Sequence, residues 1–129
     1  MDAIEYPKVT IGGRTYTLRF SMLAKYQMSK LGIRGSDFRA LGNPTNPDPA
    51  IVSLVVRLFA CAVADNFVDP DRPSAPVEIP TPEYWASQMP EDKDAWAAIC
   101  TATMQALVKA IPPAAALPLV EAATGPQPN

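Results

Sequence analysis

The chain has 129 residues, 48% of them apolar, with 11 Lys and Arg against 13 Asp and Glu and no histidine. That length suits one domain, and the apolar content is enough for a core without disulfide or metal staples and excludes disorder throughout. A net charge of -2 points neither to a nucleic-acid coat nor to an acidic tail, and the lack of histidine removes the commonest base, proton shuttle and metal ligand at neutral pH.

Charge is unevenly spread. Residues 1–40 hold seven Lys and Arg against Asp2, Glu5 and Asp37, whereas residues 65–94 hold eight acids against Arg72 and Lys93. One basic and one acidic side would suit docking or self-association; two separately solvated faces is the plainer reading.

Residues 8–20 predict a β-hairpin. Val9 and Ile11 alternate with polar neighbours, Gly12-Gly13 supplies the positive φ of a tight turn, and Tyr16, Leu18 and Phe20 alternate again. Ser21 reads as the N-cap of a helix that Gly32 ends. Its apolar residues fall on two sides, Met22, Leu23 and Tyr26 on one and Ala24, Met28 and Leu31 on the other. Two apolar faces need two covers, and the second is either more of this chain or a partner. Met22, Tyr26, Met28 and Leu31 are therefore the candidate partner-binding residues, with flexible Met side chains suited to an adaptable surface.

A connection follows, with a short helical turn expected over 36–41, and Asp48-Pro49 then opens a second helix as N-cap and first-turn proline. From Ala50 to about Asp65 this helix is apolar nearly all round, with Ser53, Arg57, Ala60 and Ala64 as its expected open strip. It is the expected central helix. Five prolines between residues 66 and 82 exclude regular helix there, and Val77 and Ile79 suggest a brief extended contact. Thr81-Pro82-Glu83 starts a short helix through Tyr84 and Trp85, and Met89-Pro90-Glu91-Asp92 starts another. In that last helix Trp96, Cys100, Thr103, Met104, Leu107 and Ile111 share a side opposite Gln105 and Lys109, until Pro112-Pro113 stops it. Residues 112–129 read as a Pro/Ala-rich flexible tail in which Leu117, Leu119 and Val120 form at most one helical turn. The expected fold is thus α+β and mainly helical: an N-terminal hairpin packed on three to four helices in a single domain over 1–111.

Catalytic patterns are missing. Gly12-Gly13 leads into a strand and lacks the Lys-Ser/Thr of a phosphate loop. Cys61 and Cys100 sit in apolar helical patterns and read as small buried hydrophobes. Asp69 and Asp71, or Glu91, Asp92 and Asp94, lack calcium-loop spacing and read as solvated or helix-start acids. No enzyme activity, cofactor or metal is expected. Met1 to Glu5 are not the basic start of a signal peptide, and Arg57 interrupts the longest apolar run, so no membrane segment is expected and the cytoplasm is the expected compartment. Arg14, Arg19, Lys25, Lys30, Arg34 and Arg39, interleaved with Tyr16, Phe20 and Tyr26, form a candidate basic surface. A hairpin that is polar outside and apolar inside explains much of that interleaving, and no nucleic-acid module matches.

The run from Lys8 through Gly12-Gly13-Arg14-Thr15-Tyr16-Thr17-Leu18-Arg19-Phe20-Ser21, leading into a helix with Leu23, Tyr26 and Leu31-Gly32, resembles the opening of tail assembly chaperones of long-tailed bacteriophages and gene-transfer agents. Pro80-Thr81-Pro82-Glu83-Tyr84-Trp85 and Met89-Pro90-Glu91-Asp92 resemble that family's short helix before a final long one, so the likeness runs over most of 8–111. The proline-rich insert and the Pro/Ala tail depart from it. The resemblance implies a protein of the bacterial host cytoplasm that binds the tape-measure and tail-tube proteins during tail morphogenesis and keeps the apolar, helical tape measure soluble. Two readings compete with it: a structural virion component, such as a tail or head–tail joining subunit, and a small nucleic-acid-binding module.

Overall fold

In a computed structural model, which describes residues 6–34, 36, 37, 41, 48–68, 71 and 78–110, the chain is a two-stranded hairpin followed by four helices. Strands β1 (Lys8–Ile11) and β2 (Arg14–Thr17) pair antiparallel, with Val9 opposite Tyr16 and Ile11 opposite Arg14. Gly12 and Gly13 take φ of 61° and 81° in the two-residue turn, a backbone in which side chains are disfavoured. The alternation holds: Val9, Tyr16, Leu18 and Phe20 are buried, and Lys8, Thr10, Thr15 and Arg19 are exposed.

The strands are shorter than the alternating run, because beyond Thr17 the backbone turns to another partner. Leu18 N–H still donates to Pro7 O at 2.9 Å, but Arg19 N–H donates to Ala62 O, a carbonyl at the end of a helix. Ser21 caps α1 (Met22–Lys30), accepting from Ala24 N–H, and Gly32 follows the helix at φ 71°.

Helix α2 (Pro49–Ala62) is the centre. Asp48 Oδ1 accepts from Ala50 N–H at 2.8 Å, and proline occupies the first turn. Leu54, Val55, Val56, Leu58, Phe59, Ala60, Cys61 and Ala62 are all buried. Two expectations need correction here. The α-helix stops at Ala62 and tightens into a 3-10 turn over Ala64–Phe67, and Ala60 and Ala64 are buried rather than open. A methyl group carries nothing that needs water, so it fits a tight approach that a longer side chain would prevent. Of the expected strip only Ser53 is exposed, while Arg57 is half-buried.

Helix α3 (Pro82–Gln88) is capped by Thr81 and α4 (Lys93–Val108) by Asp92, each side chain accepting a backbone N–H three residues on. Helices α1, α3 and α4 all pack on α2, and α4 also meets β1. Covering two neighbours makes α4 bury more than its predicted stripe: Ile99, Ala102 and Ala106 join Cys100, Thr103, Met104 and Leu107. Thr103, buried among them, bonds Ile99 O at 2.8 Å. Ile79 lies in no strand, and Val77, residues 38–40 of the predicted helical turn, Ile111 and the tail fall outside the described residues.

The 3-10 turn fastens the hairpin to α2. Asn66 Oδ1 accepts from Thr17 N–H at 3.1 Å, and its Nδ2 donates to Thr17 O at 2.7 Å and to Val63 O at 3.0 Å. Next to it, Ser21 Oγ donates to Asp65 Oδ1 at 2.8 Å. Above that clamp, Trp85 is fully buried with its ring against Tyr16, Phe59, Phe67 and Tyr84 at centroid distances of 5.1–6.0 Å. Its indole N–H has no hydrogen-bond partner among the described residues.

Two substitutions test this account. Asn66→Ala removes three hydrogen bonds that join β2 to the end of α2 and is expected to cost about 2 kcal/mol in urea unfolding. Trp85→Ala is expected to cost about 3–5 kcal/mol. Trp85→Phe should cost clearly less, because it keeps a ring and removes an unsatisfied buried donor.

Candidate partner-binding surface

Apolar surface is open to solvent where α2 is covered least. On α2 Ile51 and Val52 are half-buried, and Val52, Ser53 and Val56 form the floor of an open groove between α1 and α3. Leu31, just past the end of α1, makes one wall; Thr81, Pro82, Glu83 and Ala86 of α3 and its cap make the other. The groove holds about 570 Å³, in the range of a site for a side-chain cluster. Among the described residues that line it, Arg57 and Glu83 carry one charge of each sign.

Arg57 has a structural task that sequence reading missed. Its Nη1 donates to Leu31 O at 3.4 Å and its Nε to Ser53 O at 3.3 Å, so the guanidinium lies over the C-terminal end of α1 and its stem along the groove. The contact joins residues 26 apart in sequence, and nothing in local pattern announces it.

The four candidate residues on and after α1 do not form one patch. Leu31 lines the groove, and Met28 packs, half-buried, against the core. Met22 and Tyr26 stand on the opposite, outward side, 79% and 61% exposed. The doubly apolar helix is therefore covered by its own chain on one face only.

The basic residues are also dispersed. Arg14 lies over the rings of Tyr16 and Phe67 at 5.0 and 5.3 Å, and Lys30 over Tyr26 at 5.7 Å. Arg19 and Lys25 do line one pocket, of about 310 Å³, with Tyr6, Met22 and Lys109. Arg19 and Lys109 both approach the Tyr6 ring, at 5.5 and 5.8 Å. Arg34 is exposed, with its backbone N–H bonded to Asp37 Oδ2, and Arg39 lies outside the described residues. Tyr6 and Lys109 were not legible as partners of Arg19, since their meeting depends on where α4 ends.

Both thiols are buried, and loss of hydration pushes each up to about 12, with Arg57 only partly offsetting this at Cys61. Such thiols stay protonated and unreactive at neutral pH. Among the described residues no cluster of three metal-ligating side chains occurs, and no helix is long and apolar enough to cross a membrane. No protein-family model, curated protein or solved structure matches the chain.

The buried thiols predict a reactivity and a pH dependence. Native protein at pH 8 should react with a disulfide reagent far more slowly than unfolded protein. With an unfolded value near 9 and a folded value about 12, the unfolded chain loses these protons first. Stability is thus unaffected by them below pH 9 and falls as pH climbs from 9 toward 12, measurable as a declining urea midpoint. Met22→Ala and Tyr26→Ala, both on the exposed face, should each change stability by less than about 0.5 kcal/mol.

Proposed function

We propose that the chain is a non-enzymatic tail assembly chaperone that holds an apolar, helical client during phage tail morphogenesis. The groove between α1, α2 and α3 carries this reading: it is open, mostly apolar and floored by the central helix itself. A partner helix places apolar side chains along one face at three- and four-residue spacing, and a groove between helices receives such a stripe. Arg57 and Glu83 on the rim offer one anchor for each sign of charge on the polar flanks of the client. The resemblance of residues 8–32 to chaperones of this class names the client: the tape-measure protein, with tail-tube subunits replacing the chaperone as the tube grows.

Mechanism on this reading is physical rather than chemical. Covering an apolar stripe removes it from water, worth about 25 cal/mol per Å², and an open groove releases it again when a larger surface competes. The two buried thiols take no part, and the exposed Met22 and Tyr26 form a second apolar area on the far side of α1.

Co-expression with the longest helical protein encoded beside the chain, followed by affinity pull-down, tests the proposal. Soluble co-purification is expected, with loss in Ser53→Arg, which fills the groove from an exposed position. Thr101→Arg, exposed on α4 and outside the groove, should leave it intact. Absence of the chain from purified particles is the matching expectation. Failure to bind the client together with its presence in mature particles would instead make it a structural virion component.

A further inference from the structure

The two edges of the hairpin differ. In the antiparallel pair, Pro7, Val9 and Ile11 face Leu18, Tyr16 and Arg14, so their backbone groups turn inward. The backbone groups of Thr15, Thr17 and Arg19 turn outward along one edge, and those of Lys8 and Thr10 along the other. On the β2 edge the part beyond the turn is taken: Thr17 by both ends of the Asn66 amide, and Arg19 N–H by Ala62 O, while Thr15 beside the turn bonds no described residue through its backbone. On the β1 edge no described residue bonds the outward N–H or C=O of Lys8 or Thr10. An open strand edge is a template for another strand, and here the β2 edge is occupied at Thr17 and Arg19 whereas the β1 edge is open along its length.

That open edge borders a groove. Lys8, Val9, Thr10, Ile11 and Gly12 line one side of a cleft of about 380 Å³, and the other side comes mainly from the first turns of α4, Ala95, Ala98 and Ile99. The α4 side offers small residues and Ile99. Among the described residues lining it, Lys8 is the charged one.

We propose that this cleft takes an extended segment of a partner protein, which adds to β1 as a third strand. Its backbone would bond the outward groups of Lys8 and Thr10. Its alternate side chains, small or apolar, would face Ala95, Ala98 and Ile99. Charge complementarity specifies the rest: a carboxylate residue of the segment sits beside Lys8. The partner is therefore a β-forming segment with a carboxylate at the position beside Lys8, recognised through main-chain bonds for affinity and through alternate side chains for specificity. This site is separate from the groove between α1, α2 and α3, and it stands or falls without the chaperone reading.

Amide hydrogen exchange on the full chain, with two synthetic peptides as probes, tests it. The first peptide is acetyl-Glu-Thr-Val-Thr-Val-Thr-amide; the second replaces its Glu by Lys. In the free protein Lys8 and Thr10 amides should exchange fast while Val9 and Ile11 amides, inside the ladder, exchange slowly. The Glu peptide should slow Lys8 and Thr10 by at least about tenfold, and Lys8→Glu should reverse the preference to the Lys peptide. Ala98→Arg, an exposed helical position that fills the cleft, should abolish protection without lowering the melting temperature. Thr10→Pro, which removes an outward N–H, provides a second block by a different route.

Slow exchange of Lys8 and Thr10 in the free protein would show an edge already occupied and overturn the proposal. So would a monomer–dimer equilibrium that alone accounts for their protection, since the occupant would then be a second copy. So would loss of that protection on removal of residues 111–129, since the occupant would then be the chain's own tail. Failure of both peptides to protect either amide at millimolar concentration also overturns it, as does equal binding of the Glu and Lys peptides to the Lys8→Glu variant.

Discussion

A helix that is apolar on nearly every side has to be covered on nearly every side, and α2 imposes that demand on the rest of the chain. Eight of its residues in the run from Leu54 to Ala62 are buried, and α1, α3 and α4 are each packed on it. The hairpin reaches it through Asn66 of the 3-10 turn and Ala62 at the end of α2, which bond the backbone of Thr17 and Arg19. Coverage is complete toward the C-terminal end of α2, where even Ala60 and Ala64 are enclosed. It is incomplete toward the N-terminal end, where Ile51 and Val52 are half-buried. The groove follows from that gradient. It is the part of the central helix that the surrounding helices leave uncovered, and so the natural place for a foreign helix to finish the packing.

The aromatic cluster explains how short elements hold their positions. Helix α3 has only seven residues, too few to be stable by itself, and it is kept in place by Trp85 entering the space between Tyr16, Phe59 and Phe67. Strands of four residues gain from the same contact, because Tyr16 is the inward residue of β2. One side chain thus joins hairpin, central helix and α3, and it also fixes one wall of the groove. Its indole N–H is buried without a partner among the described residues.

Local features were legible in the sequence. Gly12-Gly13 gave the turn, Ser21, Asp48 and Thr81 the helix caps, and the alternation of Val9, Tyr16, Leu18 and Phe20 the inward face of the hairpin, because each is decided by residues a few positions apart. The groove was not legible, since its lining comes from residues 31, 49–57 and 81–86 and depends on how three helices meet. For the same reason the role of Asn66, bonded across 49 residues to Thr17, gave no signal, and neither did that of Arg57. Periodicity placed Met22, Tyr26, Met28 and Leu31 on two sides of α1, as found, but it could not say which side the chain itself would cover. The open strip expected on α2 went wrong where Ala60 and Ala64 sit. Small residues read as exposed in a pattern are, in a packed helix, the ones that admit the closest neighbours.

The central claim is that a partner helix completes the cover of α2 in the groove between α1 and α3. A photo-crosslinking side chain placed at position 52, in the groove floor, and separately at position 101, exposed on α4, tests it directly in the co-expressed complex. The account predicts that the client is captured from position 52 and not from position 101. Capture from position 101 with none from position 52 would contradict it and move the binding face to the other side of the molecule.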